Sequence, residues 1–347
     1  MADNELKIGI VGLGLGQWQV NTVKLIEGAK VVAVADNNIE RVLLGDPPGI
    51  GEAFESYEAY GKKHGVRTYD DAVKMMDAEE LDGISLAVTP KFREALIREA
   101  GKRKIPMLVE KPWAGSVGQA KALVQLVKEL DAKAMVEFPI RFMPVMVRLR
   151  ELMNNELGAG WIANANLMMG WCPDPKGPHW DPANHNGLIN ECYTHLFDTL
   201  NFYMGKPVSV DAGGGIFRGS PLPDGAAGIV KYESGGCAAF TCGGVGAFAA
   251  DGGNLLEIWT ENGMARVTGT QWLPNQLTWG TRDMEEAVDE TFPAVGRFTI
   301  MEYNMRAWFD SIRSGEAPPC TPEMGQTATE VALAVQNSIL QGELQTL

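Results

Sequence analysis

The chain reads as an α/β domain followed by an α+β domain, and three observations carry that reading. Apolar strands and helical stretches alternate through the first third. A glycine-rich turn joins the first strand to the first helix. From about Gly160 to Gly280 the pattern changes to short alternating runs separated by glycine clusters. With 347 residues, 45% of them hydrophobic, two domains each have material for a core. The expected boundary places one domain at 1–134 and the other at 135–347, with the C-terminal helices free to pack back on the first.

The elements follow in order. Leu6-Lys7-Ile8-Gly9-Ile10-Val11 is a short apolar strand, and Gly12-Leu13-Gly14-Leu15-Gly16-Gln17-Trp18 opens a helix reaching to about Glu27. Glycines at such a turn let backbone N–H groups approach a pyrophosphate, and the helix N-terminus adds partial positive charge. The glycine spacing is irregular: the third glycine of G-x-G-x-x-G falls on Gln17, with Gly16 one residue early. A second strand, Val31-Val32-Ala33-Val34-Ala35, ends in Asp36, at roughly the 20-residue distance where a carboxylate accepts from an adenosine ribose. Strand, glycine turn, helix, strand and acid in this order predict a dinucleotide site. Asp36 would repel a 2′-phosphate, and the following Asn37-Asn38-Ile39-Glu40 supplies no arginine before Arg41, so NAD is expected over NADP. Capping of the next helix is a second job open to Asp36.

Further on, Val66-Arg67-Thr68-Tyr69 and Asp70 through Met76 read as a short strand and a capped helix. Asp82 to Val88 is a buried strand that stops at Thr89-Pro90, where a helix through about Gly101 begins. Ile105-Pro106-Met107-Leu108-Val109 is the next strand, followed by Glu110-Lys111-Pro112-Trp113. A lysine at the carboxyl end of a buried strand sits where open α/β sheets hold ligands, desolvated enough to polarise or protonate a substrate oxygen. A solvated lysine at a strand end is the plain alternative. A helix from Val117 to about Leu130 and the strand Lys133 to Phe138 close the first domain, and helical patterns return at Met301–Ser314 and Met324–Leu340.

Composition narrows the function. The net charge of −14, without a basic run, disfavours nucleic acid and anionic membranes. No segment has transmembrane length and Met1-Ala2-Asp3-Asn4-Glu5 does not open a leader, so a cytoplasmic protein is expected. Five cysteines without C-x-x-C spacing point to reduced thiols, Cys237 and Cys242 among them as small buried hydrophobes. The proline-rich stretch Trp171 to Gly187, containing His179, Trp180 and His185, reads as a long binding loop: indole faces suit sugar C–H groups and the polar side chains suit hydroxyls. Trp171 and Trp180 could equally plug a sheet edge. The spacing of His179, Asp181, His185, Glu191 and His195 matches no compact metal motif, and no metal is expected.

Taken together, Gly12-Leu13-Gly14, Asp36, Thr89-Pro90, Glu110-Lys111-Pro112, Arg141-Phe142-Met143-Pro144 and Glu191-x-x-x-His195-x-x-Asp198 resemble the Gfo/Idh/MocA family of sugar and cyclitol oxidoreductases. The resemblance implies a Rossmann domain, then a large, open, mainly antiparallel sheet that commonly forms a homodimer or homotetramer. It places the catalytic lysine on Lys111 and the catalytic histidine on His195. Two positions depart from the pattern: an aspartate becomes Glu191 and a glycine becomes Tyr193. At i and i+4 on one helix face, Glu191 would orient His195, unless it contacts substrate or is a surface ion pair. Cofactor contacts are then expected from Gly12, Gly14, Leu15, Gly16, Gln17, Trp18, Asp36, Asn37, Thr89, Pro90, Glu110, Lys111 and Pro112. Substrate contacts are expected from Lys111, Trp113, Arg141, Trp171, His179, Trp180, His185, Tyr193 and His195. The implied activity is hydride transfer between a secondary hydroxyl of a sugar, polyol or glycoside and NAD. Two alternatives stand beside it: redox-neutral glycoside cleavage through a transient keto-sugar with NAD retained, and a non-enzymatic regulator.

Overall fold

Leu6–Val11 (β1), Ala29–Ala35 (β2), Arg67–Tyr69 (β3), Gly83–Leu86 (β4), Met107–Val109 (β5) and Ala134–Val136 (β6) form one sheet in the computed structural model, which describes residues 5–45, 52–247, 253–270, 273–294, 296 and 299–347. The strand order is β3-β2-β1-β4-β5-β6, with every pairing parallel. β4, β5 and β6 are buried at every residue, as parallel strands covered on both faces must be, and this is why they read as unbroken apolar runs.

Helices Gly16–Val23 (α1), Ile39–Leu43 (α2), Tyr57–His64 (α3), Ala72–Ala78 (α4), Pro90–Lys102 (α5) and Val117–Glu129 (α6) connect these strands. Their ends follow from local chemistry. Asp71 caps α4 by accepting from the Val73 and Lys74 N–H groups at 2.7 and 2.9 Å. Ser56 accepts from Ala59 at the start of α3, and Gly65, at φ +69°, ends it.

Helix Pro144–Leu152 (α7) precedes a second sheet. Its strands are Gly160–Met168 (β7), Pro207–Gly215 (β8), Gly225–Tyr232 (β9), Cys237–Gly243 (β10), Gly253–Thr260 (β11), Gly263–Thr270 (β12), Leu273–Thr281 (β13), Val288–Thr291 (β14) and Gln345–Thr346 (β15). Among the described residues the order is β14-β13-β12-β11-β7-β10-β9-β8-β15, antiparallel except where β7 meets β10. The long helix Leu188–Met204 (α8) lies on β7 and β10. Helices Thr299–Ser314 (α9) and Pro322–Gln341 (α10) follow the sheet.

The glycine clusters differ from their sequence reading. Gly235 turns the β9–β10 hairpin at φ +87°, but Gly213, Gly214 and Gly215 lie inside β8. A Cβ at Gly214 would come within 2.2 Å of the Gly225 carbonyl, so close approach to β9 is what glycine provides there. Gly252 lies outside the described residues.

The chain divides into two compact units. The first runs to Trp113 and also takes in Lys121–Glu137 and Met301–Glu323, where Trp308 fills the space a side chain on Gly83 would need. The second comprises Ala114–Ala120, Phe138–Ile300 and Met324–Leu347. No helix among the described residues is long and apolar enough to cross a membrane.

Candidate active site

In the first unit the chemistry gathers at the carboxyl ends of the parallel strands, where backbone groups leave the ladder. Gly12 stands at φ +88°, and a Cβ there would meet the Ala87 carbonyl oxygen at 2.4 Å. A Cβ at Gly16 would lie 2.9 Å from Ile10 Cγ2, so this early third glycine lets α1 sit against β1. Gln17, at the expected glycine position, is buried and donates from Nε2 to the Leu13 carbonyl at 2.9 Å, bracing the turn. Asp36 accepts from the N–H groups of Leu13 at 2.6 Å and Asn38 at 2.7 Å, which ties the end of β2 to the glycine turn. At the end of β4, Thr89 precedes Pro90 at the first position of α5, and the Thr89 hydroxyl is buried without a hydrogen-bond partner among the described residues. A glycine cradle, a carboxylate at the second strand end and an orphaned hydroxyl at a helix N-terminus fit a dinucleotide.

The Glu110–Lys111–Pro112 segment leaves β5 at the same sheet edge, and the Lys111–Pro112 peptide is cis. Lys111 is half-buried, whereas Trp113, expected to face substrate, is fully buried. Arg93 fastens this segment from α5. Its guanidinium donates to the carbonyls of Val88, Lys111 and Pro112, and it is fully buried. Behind the lysine, Gln19, Ser85, Glu110 and Glu137 form a buried polar cluster. Burial, then the charge of Glu110 and a hydrogen bond with it, push the Glu137 carboxyl well above the ordinary carboxylate range; Lys111 and Gln19 oppose the shift.

In the second unit, α8 begins after Gly187, at φ +98°, and carries Glu191 and His195, both buried. The His195 ring meets Phe138 edge-on, with centroids 5.7 Å apart. Glu191 Oε2 lies 3.2 Å from His185 Nε2, an ion pair when that imidazole is protonated, and a neighbour that the helical spacing did not suggest. His185 stacks on His179 at 5.2 Å, and Trp171 meets His179 edge-on at 5.8 Å.

The proline-rich loop that supplies these rings is held by its own polar groups. Trp180 Nε1 donates to the Asp174 carbonyl, Asn190 Nδ2 donates to the His185 and Ala114 carbonyls, and Asn186 Nδ2 donates to the Gly115 carbonyl. Gly115 is necessary at that contact, since a Cβ would lie 2.4 Å from the Pro182 carbonyl oxygen. Trp180 is thus buried while Trp171 remains exposed.

Two residues expected to face substrate lie in the interior. Arg141 is buried, stacks over Phe202 and donates from Nε and Nη2 to the two Asp198 oxygens, each at 2.6 Å. Burial raises the Asp198 carboxyl, and Arg141 opposes it. Tyr193 is fully buried and its phenol is pushed far above its ordinary value, first by burial and then by Cys192 and Cys242.

Comparison with known proteins bears on both units. The model described as an oxidoreductase family with NAD-binding Rossmann fold matches residues 6–138, and the GFO/IDH/MocA C-terminal domain matches residues 146–266. The chain belongs to the Gfo/Idh/MocA family. D-apiose dehydrogenase of Rhizobium rhizogenes is 25% identical over 211 residues, covering 60% of this chain and 56% of that protein. Inositol 2-dehydrogenase 4 of Saccharopolyspora erythraea is 26% identical over 60% of this chain and 57% of that protein. The chain therefore spans little more than half the length of these relatives in the match. A Haloferax volcanii relative, 23% identical over 67% of this chain and 68% of its own length, is named D-xylose 1-dehydrogenase (NADP(+)) 2, so both nicotinamide cofactors occur among the relatives' names.

An NAD binding oxidoreductase from Klebsiella pneumoniae superposes with a TM-score of 0.82 at 16% identity, over 99% of both chains. An oxidoreductase from Agrobacterium radiobacter, crystallised with NAD+, L-tartaric acid and magnesium, gives 0.79 at 18% identity, over 99% and 98%. These likenesses establish the fold of this Gfo/Idh/MocA protein. Four residues of its first unit escaped the sequence reading: Gln19, Ser85, Arg93 and Glu137. The signal available for Arg93 was an arginine on the apolar face made by Ile97 and Ala100, and for Glu137 an acid inside an apolar strand.

Proposed function

We propose that the protein oxidises a secondary hydroxyl of a sugar, polyol or glycoside with NAD. The observation that carries this reading is Lys111 at the carboxyl end of β5, on the same edge of the parallel sheet as the Gly12 turn. Bound nicotinamide supplies the hydride acceptor. Gly12, Gly14, Leu15, Gly16, Gln17 and Trp18 would hold the pyrophosphate of NAD, Asp36 and Asn37 a ribose, and Thr89, Pro90, Glu110, Lys111 and Pro112 would contact the cofactor at the strand ends. Lys111 donates a hydrogen bond to the reacting oxygen, and His195 takes the hydroxyl proton. Glu191 holds His185, and Trp171, His179 and His185 meet the sugar ring and its hydroxyls. NAD is preferred because Asp36 disfavours a 2′-phosphate.

A second reading is favoured by one observation. The stacked His179 and His185, with Glu191 behind them, add acid–base groups suited to redox-neutral cleavage of a glycoside through a keto-sugar. Association of identical chains through the nine-stranded sheet, where Ile162, Ile229 and Trp259 are exposed, belongs to the same proposal.

The test is a screen of sugars, cyclitols and glycosides for formation of reduced nicotinamide, with products separated by chromatography. Reduced NAD with a keto product supports the dehydrogenase. Cleaved glycoside without net reduction supports the second reading, and full NAD binding without turnover of any compound points to a regulator.

A further inference from the structure

Beside Glu110 the first unit buries a second carboxyl that the proposed reaction does not use. Glu110 and Glu137 follow the neighbouring parallel strands β5 and β6, and they are 5% and 2% exposed. Gln19 in α1 fixes how they meet. Its amide oxygen accepts from Ser85 Oγ at 2.6 Å, so the orientation of the amide is set and its NH2 faces the acids. That nitrogen lies 3.3 Å from Glu110 Oε1 and 2.9 Å from Glu137 Oε2. One amide group therefore gathers an oxygen from each acid in a site closed to water. Two carboxylates in such a site repel strongly if both ionise, and one proton between them turns the repulsion into a hydrogen bond.

We propose that Glu110 and Glu137 share a single proton, and that this pair, with one net negative charge, is a positioning element that keeps Lys111 protonated. Glu137 donates the proton toward the Glu110 carboxylate, and the remaining charge faces the ammonium. The charged groups recorded around Glu137 are Glu110 and Lys111, while Gln19 and Ser85 are neutral. Two ionised acids would set two negative charges against the one ammonium that acts on Glu137, and two neutral acids would set none against it. The catalytic consequence, a lysine held ready to donate to the reacting oxygen, rests on the function proposed above. The shared proton does not.

Infrared spectroscopy of the full chain at neutral pH, with and without deuterium exchange, tests the pair directly. The wild type should show an exchange-sensitive carboxylic-acid carbonyl band that is lost in both Glu137→Gln and Glu110→Gln, since either amide leaves one carboxylate and no shared proton. Each single variant keeps one negative charge and should leave the titration of Lys111, followed by NMR of labelled lysine, close to wild type. The double variant removes the charge, and Lys111 should then lose its proton about one to three pH units lower. The proposal is overturned if no band separates wild type from the single variants, or if Lys111 titrates alike in wild type and a folded double variant. Should the double variant fail to fold, the band in the single variants still decides. Normal turnover by Lys111→Met would remove the catalytic reading and leave the band in place, so the two failures are distinguishable.

Discussion

The two units gather polar groups in opposite ways. In the first, Gln19, Ser85, Glu110 and Glu137 sit on a helix and strand ends, inside the protein, where the low dielectric decides which of them can be charged. In the second, Trp171, His179 and His185 come from a loop, partly open to solvent, and Glu191 and Asn190 reach His185 from a helix. The interior cluster is closed to water and so suited to setting charge. The loop cluster offers flat rings and adjustable polar groups, which suits recognition of a varied ligand. The lesson is that one chain can carry a polar cluster whose charge is set by burial and another whose rings stay within reach of solvent.

Variants should break this contrast in a definite order. The largest effect belongs to the most buried ion pair. Arg141→Met leaves the Asp198 carboxyl in the interior without its counter-charge, and should lower unfolding stability by about 3–5 kcal/mol in denaturant titrations. A loss under 1 kcal/mol would mean that Asp198 is readily neutralised.

The interior acid comes next. Glu137 keeps its proton in the folded chain to a pH above its ordinary 4.5, so unfolding releases a proton and stability falls as pH rises through that window. Glu137→Gln removes this loss. Its stability relative to wild type should rise above about pH 4.5, by about 1.4 kcal/mol for each unit of upward shift. Parallel stability curves for the two proteins would contradict a raised Glu137.

Smaller effects belong to groups nearer solvent. Asp36→Ala should narrow the preference for NAD over NADP about tenfold, or about 1.4 kcal/mol, measured as the ratio of kcat/KM values. An unchanged ratio would move cofactor choice elsewhere. In the loop cluster, Glu191→Gln removes the charge that favours protonated His185, so the His185 titration followed by NMR should move down with little change in substrate Kd. A large loss of affinity with an unmoved titration would place Glu191 on the substrate.

Much of the first unit was legible because its signals are local. The strand, glycine turn, helix and acid from Leu6 to Asp36 lie within one short stretch, and the lysine after β5 follows directly from an apolar run. The Asp71 cap was equally plain, since a cap acts within three residues of itself. What escaped depends on distant partners. Nothing near Glu137 in the chain announces Gln19, and nothing near Arg93 announces the Pro112 carbonyl. In the second unit the helical spacing suggested Glu191 with His195, and it gave no sign of the contact with His185, which comes from a loop whose path no periodicity encodes. Arg141 and Tyr193 look like site residues by type, and only the structure reveals that both are buried and that Arg141 pairs with Asp198.

The central claim, that Lys111 acts on the reacting oxygen of an NAD-dependent oxidation, is tested most directly by one paired measurement on Lys111→Met. NAD affinity by calorimetry and turnover by absorbance of reduced nicotinamide should be taken on the same preparation, with a polyol that the wild type oxidises. Turnover should fall roughly a hundredfold or more while most NAD binding persists. Near-normal turnover with intact NAD binding would contradict the account and return Lys111 to an ordinary lysine at a strand end.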